Sequence, residues 1–181
     1  MPIWLFIIII LILVIKIFDN GKIFYTGVRV GRNFKEFKII KFRTLKPNTG
    51  KEAMGDTVHK NDSRVTTLGK FLRKSKLDEL PQLFQVLTGH MALVGPRPEL
   101  PVYVDRLYYK NYDIHLIRPG LTDLSSIYFF NLACKIPEKN TNQFVEKFIL
   151  KKKNRLKAFY AKKISFRLDL LILCKTLKLF F

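Results

Sequence analysis

The chain has 181 residues, of which 48% are hydrophobic and 26% charged, and its formal net charge is +19. That length suffices for one domain with a real core, and that balance excludes both a disordered tail and a bundle of membrane spans. The charge exceeds what solubility asks of a small enzyme and implies an anionic partner, whether lipid headgroups, phosphorylated substrates or nucleic acid.

Residues 2–15 read PIWLFIIIILILVI, and Ile17 and Phe18 continue the run beyond Lys16. Fourteen helical residues span about 21 Å, against about 30 Å of bilayer hydrocarbon. Three readings compete: a signal peptide, a buried core element, and a membrane anchor or re-entrant helix. A signal peptide needs basic residues before the run and small residues after it, and neither is present. The anchor reading is taken forward for residues 1–18, with residues 19–181 as one further domain.

Asp19-Asn20-Gly21 marks a turn. Ile23-Phe24-Tyr25 and residues 37–42 read as strands joined at Gly31-Arg32-Asn33. Residues 46–63 read as a long polar loop. Residues 68–76 predict a short amphipathic helix capped by Thr67, and residues 79–87 a second, with Asp78 as its N-cap and Pro81 in its first turn. Met91–Val94 is a short buried run, and Gly95, Pro96, Arg97 and Pro98 form a rigid loop. A Tyr-rich helix is expected over 100–117, followed by a loop at Arg118, Pro119 and Gly120. Residues 144–163 predict a basic amphipathic helix, with Phe144, Phe148, Ile149, Leu156, Phe159 and Tyr160 on its apolar side. Residues 168–181 form a last apolar stretch. Both fit helices lying in a headgroup layer or ordinary packing faces. Basic residues outnumber acidic ten to three over 21–60 and eleven to two over 141–181, while the middle mixes signs.

Three clusters in and around that middle could carry chemistry. Lys41 and Arg43, two apart on a strand, point the same way and could grip a diphosphate or merely face water. Asp78 and Glu79 lie against Arg73, Lys74 and Lys76. A capping Asp78 would be held as the anion, free to attack phosphorus or hold Mg²⁺, or it could be only a cap. Arg97 sits between two prolines, which pre-set its backbone as an anion clamp or a structural turn requires. Cys134 and Cys174 show no metal-ligand spacing, and His59, His90 and His115 are scattered, so no zinc site is visible.

At these residues the chain resembles the bacterial sugar transferases, small monotopic polyprenol-phosphate phosphoglycosyl transferases. The resemblance is carried by Arg29-Val30-Gly31, Lys41-Phe42-Arg43-Thr44, Asp62-Ser63-Arg64-Val65-Thr66 and Leu77-Asp78-Glu79-Leu80-Pro81-Gln82-Leu83. It continues through Leu93–Pro98, Arg118-Pro119-Gly120, Tyr160 and Leu168-Asp169-Leu170. It implies an α+β, mainly helical, membrane-associated fold: an N-terminal hydrophobic helix, re-entrant or truncated, a short β-hairpin, and amphipathic interfacial helices. It further implies a two-step reaction on the cytoplasmic face of the bacterial inner membrane. Asp78 would take a sugar-1-phosphate from a UDP-sugar, and polyprenyl phosphate would then remove it. Glu79, with or without Asp78, would hold Mg²⁺; Lys41, Arg43, Arg64, Arg73, Arg97 and Arg118 would bind phosphates or anchor their loops. Gly95, Pro96, Pro98, Pro119 and Gly120 would shape the loops. The product would be the first lipid-linked sugar of a surface polysaccharide or glycan.

Two departures from that pattern are expected to matter. The hydrophobic start shows neither the upstream half nor the kinking Ser-Pro of a re-entrant helix, so either the true start lies upstream or half the usual device is expected to anchor the chain. Asp123 stands where Gly is more usual, and a demand for positive φ there would alter substrate handling or reduce activity. A catalytically impaired membrane-surface scaffold is therefore the alternative reading. The charge and the aromatic content also admit a nucleic-acid-binding protein, but no stacking platform or helix-turn-helix signature appears, so no nucleic-acid partner is expected. The sugar and any homodimer are left open.

Overall fold

A computed structural model describes residues 3–19, 21–47, 62–107, 113–130 and 149–179. Elements run in the order α1 (Ile3–Phe18), β1 (Phe24–Val30), β2 (Glu36–Phe42), α2 (Thr67–Ser75), α3 (Gln82–Leu87), β3 (Ala92–Val94), α4 (Pro101–Leu107), α5 (Asp113–Leu116), β4 (Gly120–Thr122), α6 (Leu124–Phe129), α7 (Lys151–Lys162) and α8 (Phe166–Lys178). The class is mixed and mostly helical, as the sequence leads one to expect.

Helix α1 is apolar on every side, and such a helix needs a non-aqueous environment all round. One stripe finds it in the protein: Ile8, Leu11 and Ile15 pack with Phe42 and Leu72 into a buried cluster. Each of those side chains contributes roughly 2 kcal/mol by leaving water. The other stripe is uncovered, with Leu13 57% and Ile17 72% exposed. Among the described residues no helix is long and apolar enough to cross a membrane. The core-element reading of this segment holds for one face; the other face is apolar and uncovered.

Strands β1 and β2 form an antiparallel hairpin with Phe24 opposite Phe42 and Val30 opposite Glu36. The connection at 32–34 places Asn33 and Phe34 in the left-handed region. The free edge of β2 is closed by a side chain. Gln85 of α3 accepts from the Ile40 N–H (3.1 Å) and donates to the Lys38 carbonyl (2.8 Å), imitating a third strand. Helix α2 approaches the end of this hairpin closely, since a Cβ on Gly69 would lie 2.3 Å from the Thr44 carbonyl oxygen. Its N-cap is Thr66, which accepts from the Gly69 N–H (2.8 Å), one residue earlier than the Thr67 expected.

The second half is built on a parallel pair, β3 with β4, in the register Ala92 to Gly120 and Val94 to Thr122. Tyr160 of α7 and Ile172 of α8 pack on Val94. The Tyr160 hydroxyl donates to Asp169 (2.6 Å), and burial together with that carboxylate raises the phenol's pKa. The helix expected over 100–117 is seen as α4 and α5, with 108–112 outside the described residues. Asn20, most of the polar loop (48–61), His59, Cys134, Phe144 and Phe148 also lie outside them.

Candidate active site

The acid pair sits in a single 3-10 turn, Leu77–Glu79, between α2 and α3. Helix α2 ends at Lys76, whose φ of 57° reverses the chain. Lysine there costs about 1 kcal/mol that glycine would not. This geometry overturns the expected cap. Helix α3 begins at Gln82, after Pro81, with no side chain capping it. Pro81 lacks an N–H, and the 3-10 turn satisfies its own amides, since the Glu79 and Leu80 N–H groups donate to the Lys76 and Leu77 carbonyls.

Asp78 is therefore left without the amide donors that would hold it ionised. It is only 8% exposed, and its Oδ1 has no hydrogen-bond partner. Burial, with the neighbouring Glu79 charge second, raises its pKa, while Lys41, Lys76 and Arg73 pull in the opposite direction. The result is a poorly solvated carboxylate facing three cations.

Glu79 is the opposite case. Arg97 donates to both of its oxygens (2.8 and 2.7 Å), and the Lys41 ammonium donates to Oε1 (2.7 Å). Burial alone would raise its pKa, but Arg97 and then Lys41 overcome that and hold it well below the carboxylate range. Lys41 is itself lowered by burial, against the pull of Glu79. The planar, bidentate Arg97–Glu79 fork is the strongest pairing available to these groups.

Arg97 is fixed from every direction. Its guanidinium donates to the Leu121 carbonyl (2.7 Å), its backbone N–H donates to Asp123 (3.0 Å), and its carbonyl accepts from Lys157 (2.8 Å). The Gly95–Pro98 loop is tied to β4 by backbone bonds, from the Gly95 N–H to Thr122 and from the Gly120 N–H to Pro96. A Cβ on Gly120 would lie 2.1 Å from the Gly95 nitrogen, so Gly95, Pro96, Pro98, Pro119 and Gly120 form one interlocked junction.

Asp123 does not impose the backbone strain expected of it. Its φ is −153°, an extended value open to any residue. The side chain is fully buried, accepts from the Ser126 N–H (2.6 Å) and from the Ser125 hydroxyl, and caps α6 while holding Arg97.

The remaining cations divide. Arg73 lies beside the pair; its Nε donates to Thr44 (2.8 Å), and burial lowers its pKa against the pull of Asp78. Arg43 turns away from Lys41, because β2 ends at Phe42. It is buried against Gly21 and donates to the Asp19 carbonyl (3.1 Å), fastening the end of α1. Arg64 forms a two-oxygen pair with Asp62. Arg118 is exposed on the loop before β4.

Sequence reasoning missed Lys157. It is 2% exposed and joins Glu99, whose pKa falls to about 2; burial would raise that carboxyl, but Lys157 and then Lys153 outweigh it. The signal was periodicity: Lys153 and Lys157 continue the stripe that begins at Ile149 and ends at Tyr160.

Among the described residues no group of three or more His, Cys, Asp or Glu could hold a metal alone. Mg²⁺ is commonly held by one or two carboxylates plus substrate phosphates. Asp78, with its unpaired oxygen, fits that role; Glu79 has both oxygens engaged and fits it only by giving up a cation.

A family model described as bacterial sugar transferase matches residues 1–181. An uncharacterized sugar transferase of Haemophilus influenzae is 44% identical over 124 residues, 59% of this chain and 26% of that protein. The UDP-glucose:undecaprenyl-phosphate glucose-1-phosphate transferase of Xanthomonas campestris pv. campestris is 32% identical over 165 residues, 90% of this chain and 32% of its own length. The UDP-N-acetylgalactosamine-undecaprenyl-phosphate N-acetylgalactosaminephosphotransferase of Aeromonas hydrophila is 33% identical over 168 residues, 91% of this chain and 36% of its own. The chain thus spans about a quarter to a third of these relatives.

Proposed function

Because the chain belongs to the bacterial sugar transferase family, we propose that it moves a sugar-1-phosphate from a UDP-sugar to a polyprenyl phosphate, with Asp78 as the nucleophile. The observation that carries this reading is the contrast within the acid pair. Glu79 is saturated by Arg97 and Lys41, whereas Asp78 holds a buried oxygen with no partner. A desolvated carboxylate is a stronger nucleophile than a hydrated one, and Lys41, Lys76 and Arg73 favour its anion against the burial that raises its pKa.

In the first step an Asp78 oxygen forms a bond to the sugar-bearing phosphorus. The bond from that phosphorus to the bridging diphosphate oxygen breaks, and UMP leaves with the electron pair. In the second step a phosphate oxygen of the polyprenyl phosphate attacks the same phosphorus. The Asp78–phosphorus bond breaks, the carboxylate is regenerated, and polyprenyl-diphospho-sugar departs. Lys41, Arg73 and Lys76 offset charge on the transferred group, and Arg97 holds Glu79 so that the two cations beside it do not collapse onto Asp78. Mg²⁺ would be held by the donor diphosphate together with the Asp78 oxygen that does not attack, and would supply neutralisation of the diphosphate charge. The uncovered stripe of α1 and exposed Phe166, Leu170 and Leu171 on α8 would place the site at headgroup depth on the cytoplasmic face. The product would begin a surface polysaccharide or glycan.

The experiment is intact mass spectrometry of protein mixed with UDP-sugars and Mg²⁺ without acceptor. An added sugar phosphate that maps to Asp78 is expected, together with UMP release that stops in Asp78→Asn. A label on any other residue removes the assignment.

A further inference from the structure

Beside the acid pair opens a cavity of about 560 Å³. Its polar end carries Lys76, Glu79 and Arg97, with Glu99 and Lys153 behind them. Most of the rest of its wall is hydrocarbon, Leu80 and Leu83 from the α3 side, Leu93 from β3, Ile127 from α6, and Leu173 and Leu177 from α8, interrupted by the hydroxyls of Ser75, Thr122, Ser125, Ser126 and Thr176. The volume falls in the range of small-molecule sites, roughly 300–1,000 Å³. The distribution of polarity limits the occupant. Of those hydroxyls Ser75, Thr122, Ser125 and Thr176 already hold partners within the protein, which leaves Ser126, too little to meet the donors and acceptors around a nucleoside's planar base. One free hydroxyl is also too few for the several that a sugar presents. An anionic head with a branched hydrocarbon tail matches both ends.

Two further observations agree. Lys76 stands at the polar rim in a left-handed conformation that glycine would occupy at less cost, so its ammonium, rather than its backbone, accounts for lysine there. The apolar wall also continues outward. Phe84, next to wall residue Leu83, meets Trp4 of α1 edge-on at 5.0 Å, which sets the packed stripe of the apolar helix α1 beside α3.

The geometry points to this cavity as the seat of the acceptor's first isoprene units, with Lys76 receiving the acceptor phosphate. The inference rests on the transfer reaction proposed above, and it assigns to the acceptor a space that the donor could otherwise claim. Its occupant is a prenyl phosphate and not a bilayer phospholipid.

The test separates the two half-reactions in phospholipid-free detergent. Leu93 and Leu177 are 46% and 58% exposed, so Leu93→Gln and Leu177→Gln leave the fold intact. UMP release without acceptor is expected to be unchanged in both. The KM for a long prenyl phosphate is expected to rise about tenfold in each, the loss of one leucine contact, with the gap between long and short prenyl phosphates narrowing. Lys76→Gly is expected to raise acceptor KM about tenfold at every chain length without lowering Tm. A raised UDP-sugar KM with an unchanged acceptor KM overturns the inference and gives the cavity to the donor. Competition by an added phospholipid that disappears in Leu177→Gln overturns it in favour of a bilayer lipid. Wild-type protein that releases no UMP overturns the underlying reaction too, whereas normal release with an unaltered acceptor KM in all three variants overturns this inference alone.

Discussion

Asp78→Asn should make the protein more stable at neutral pH while ending its chemistry. The carboxylate is buried with one oxygen unpaired. Leaving a buried polar group unmet costs about 1–3 kcal/mol, and more when it is charged. Lys41, Lys76 and Arg73 return part of that, and asparagine keeps a polar atom in the same place, so the net gain from removing the charge is about 1 kcal/mol. For a chain of this size that is roughly 2–4 °C in Tm. The pH dependence fixes the cause. The folded-state pKa is raised, chiefly by burial. The penalty is therefore full above that raised value, shrinks as pH falls through it, and is gone below the unfolded-state value of about 3.9. Thermal melts of both proteins in one detergent, from pH 8 down to pH 4, should show the variant's advantage at pH 8 closing as the wild type protonates. A variant that melts lower than wild type at pH 8, or a gap that is constant with pH, would refute the reasoning. The same raised pKa predicts that UMP release rises with pH through that value.

Arg97→Lys keeps the charge but loses the two-pronged grip on Glu79, and a fall of about ten- to a hundredfold in kcat is expected in steady-state assays. Lys157→Met removes the buried partner of half-buried Glu99 and one donor to the Arg97 carbonyl; urea titration should show a loss of about 3 kcal/mol. Gly120→Ala drives a Cβ into the Gly95 backbone, and about 2 kcal/mol or more of stability should go with it in the same titration. Leu13→Lys with Ile17→Lys alters the uncovered stripe of α1 and spares the packed one. Vesicle sedimentation should show a partition lower by roughly a thousandfold, with Tm unchanged.

What was legible from the sequence was whatever depends on neighbours along the chain. The hairpin follows from alternation and Gly31, the fixed loop around Arg97 from its two prolines, and the apolar start from composition alone. The cap at Asp78 and the strain at Asp123 were local rules applied to places where distant chain decides. Pro81 and a 3-10 turn moved the start of α3 to Gln82, so the amides Asp78 would have capped serve the turn instead. Asp123 lies extended because Arg97, twenty-six residues away, lends it a backbone N–H. Arg43 left the cluster because β2 stops one residue earlier and the end of α1 offers a carbonyl. Each of these outcomes turns on partners far off in sequence. For Asp78 the decisive fact is a bond that no other residue supplies, and a reading that adds up the contacts a side chain can make has no way to register one withheld. In this fold the distant cations go to Glu79. That choice, made by Arg97 from β3's loop and Lys41 from β2, leaves Asp78 desolvated with an unpartnered oxygen, and so sets two adjacent carboxylates of nearly equal intrinsic acidity in opposite states, one anchored and one bare.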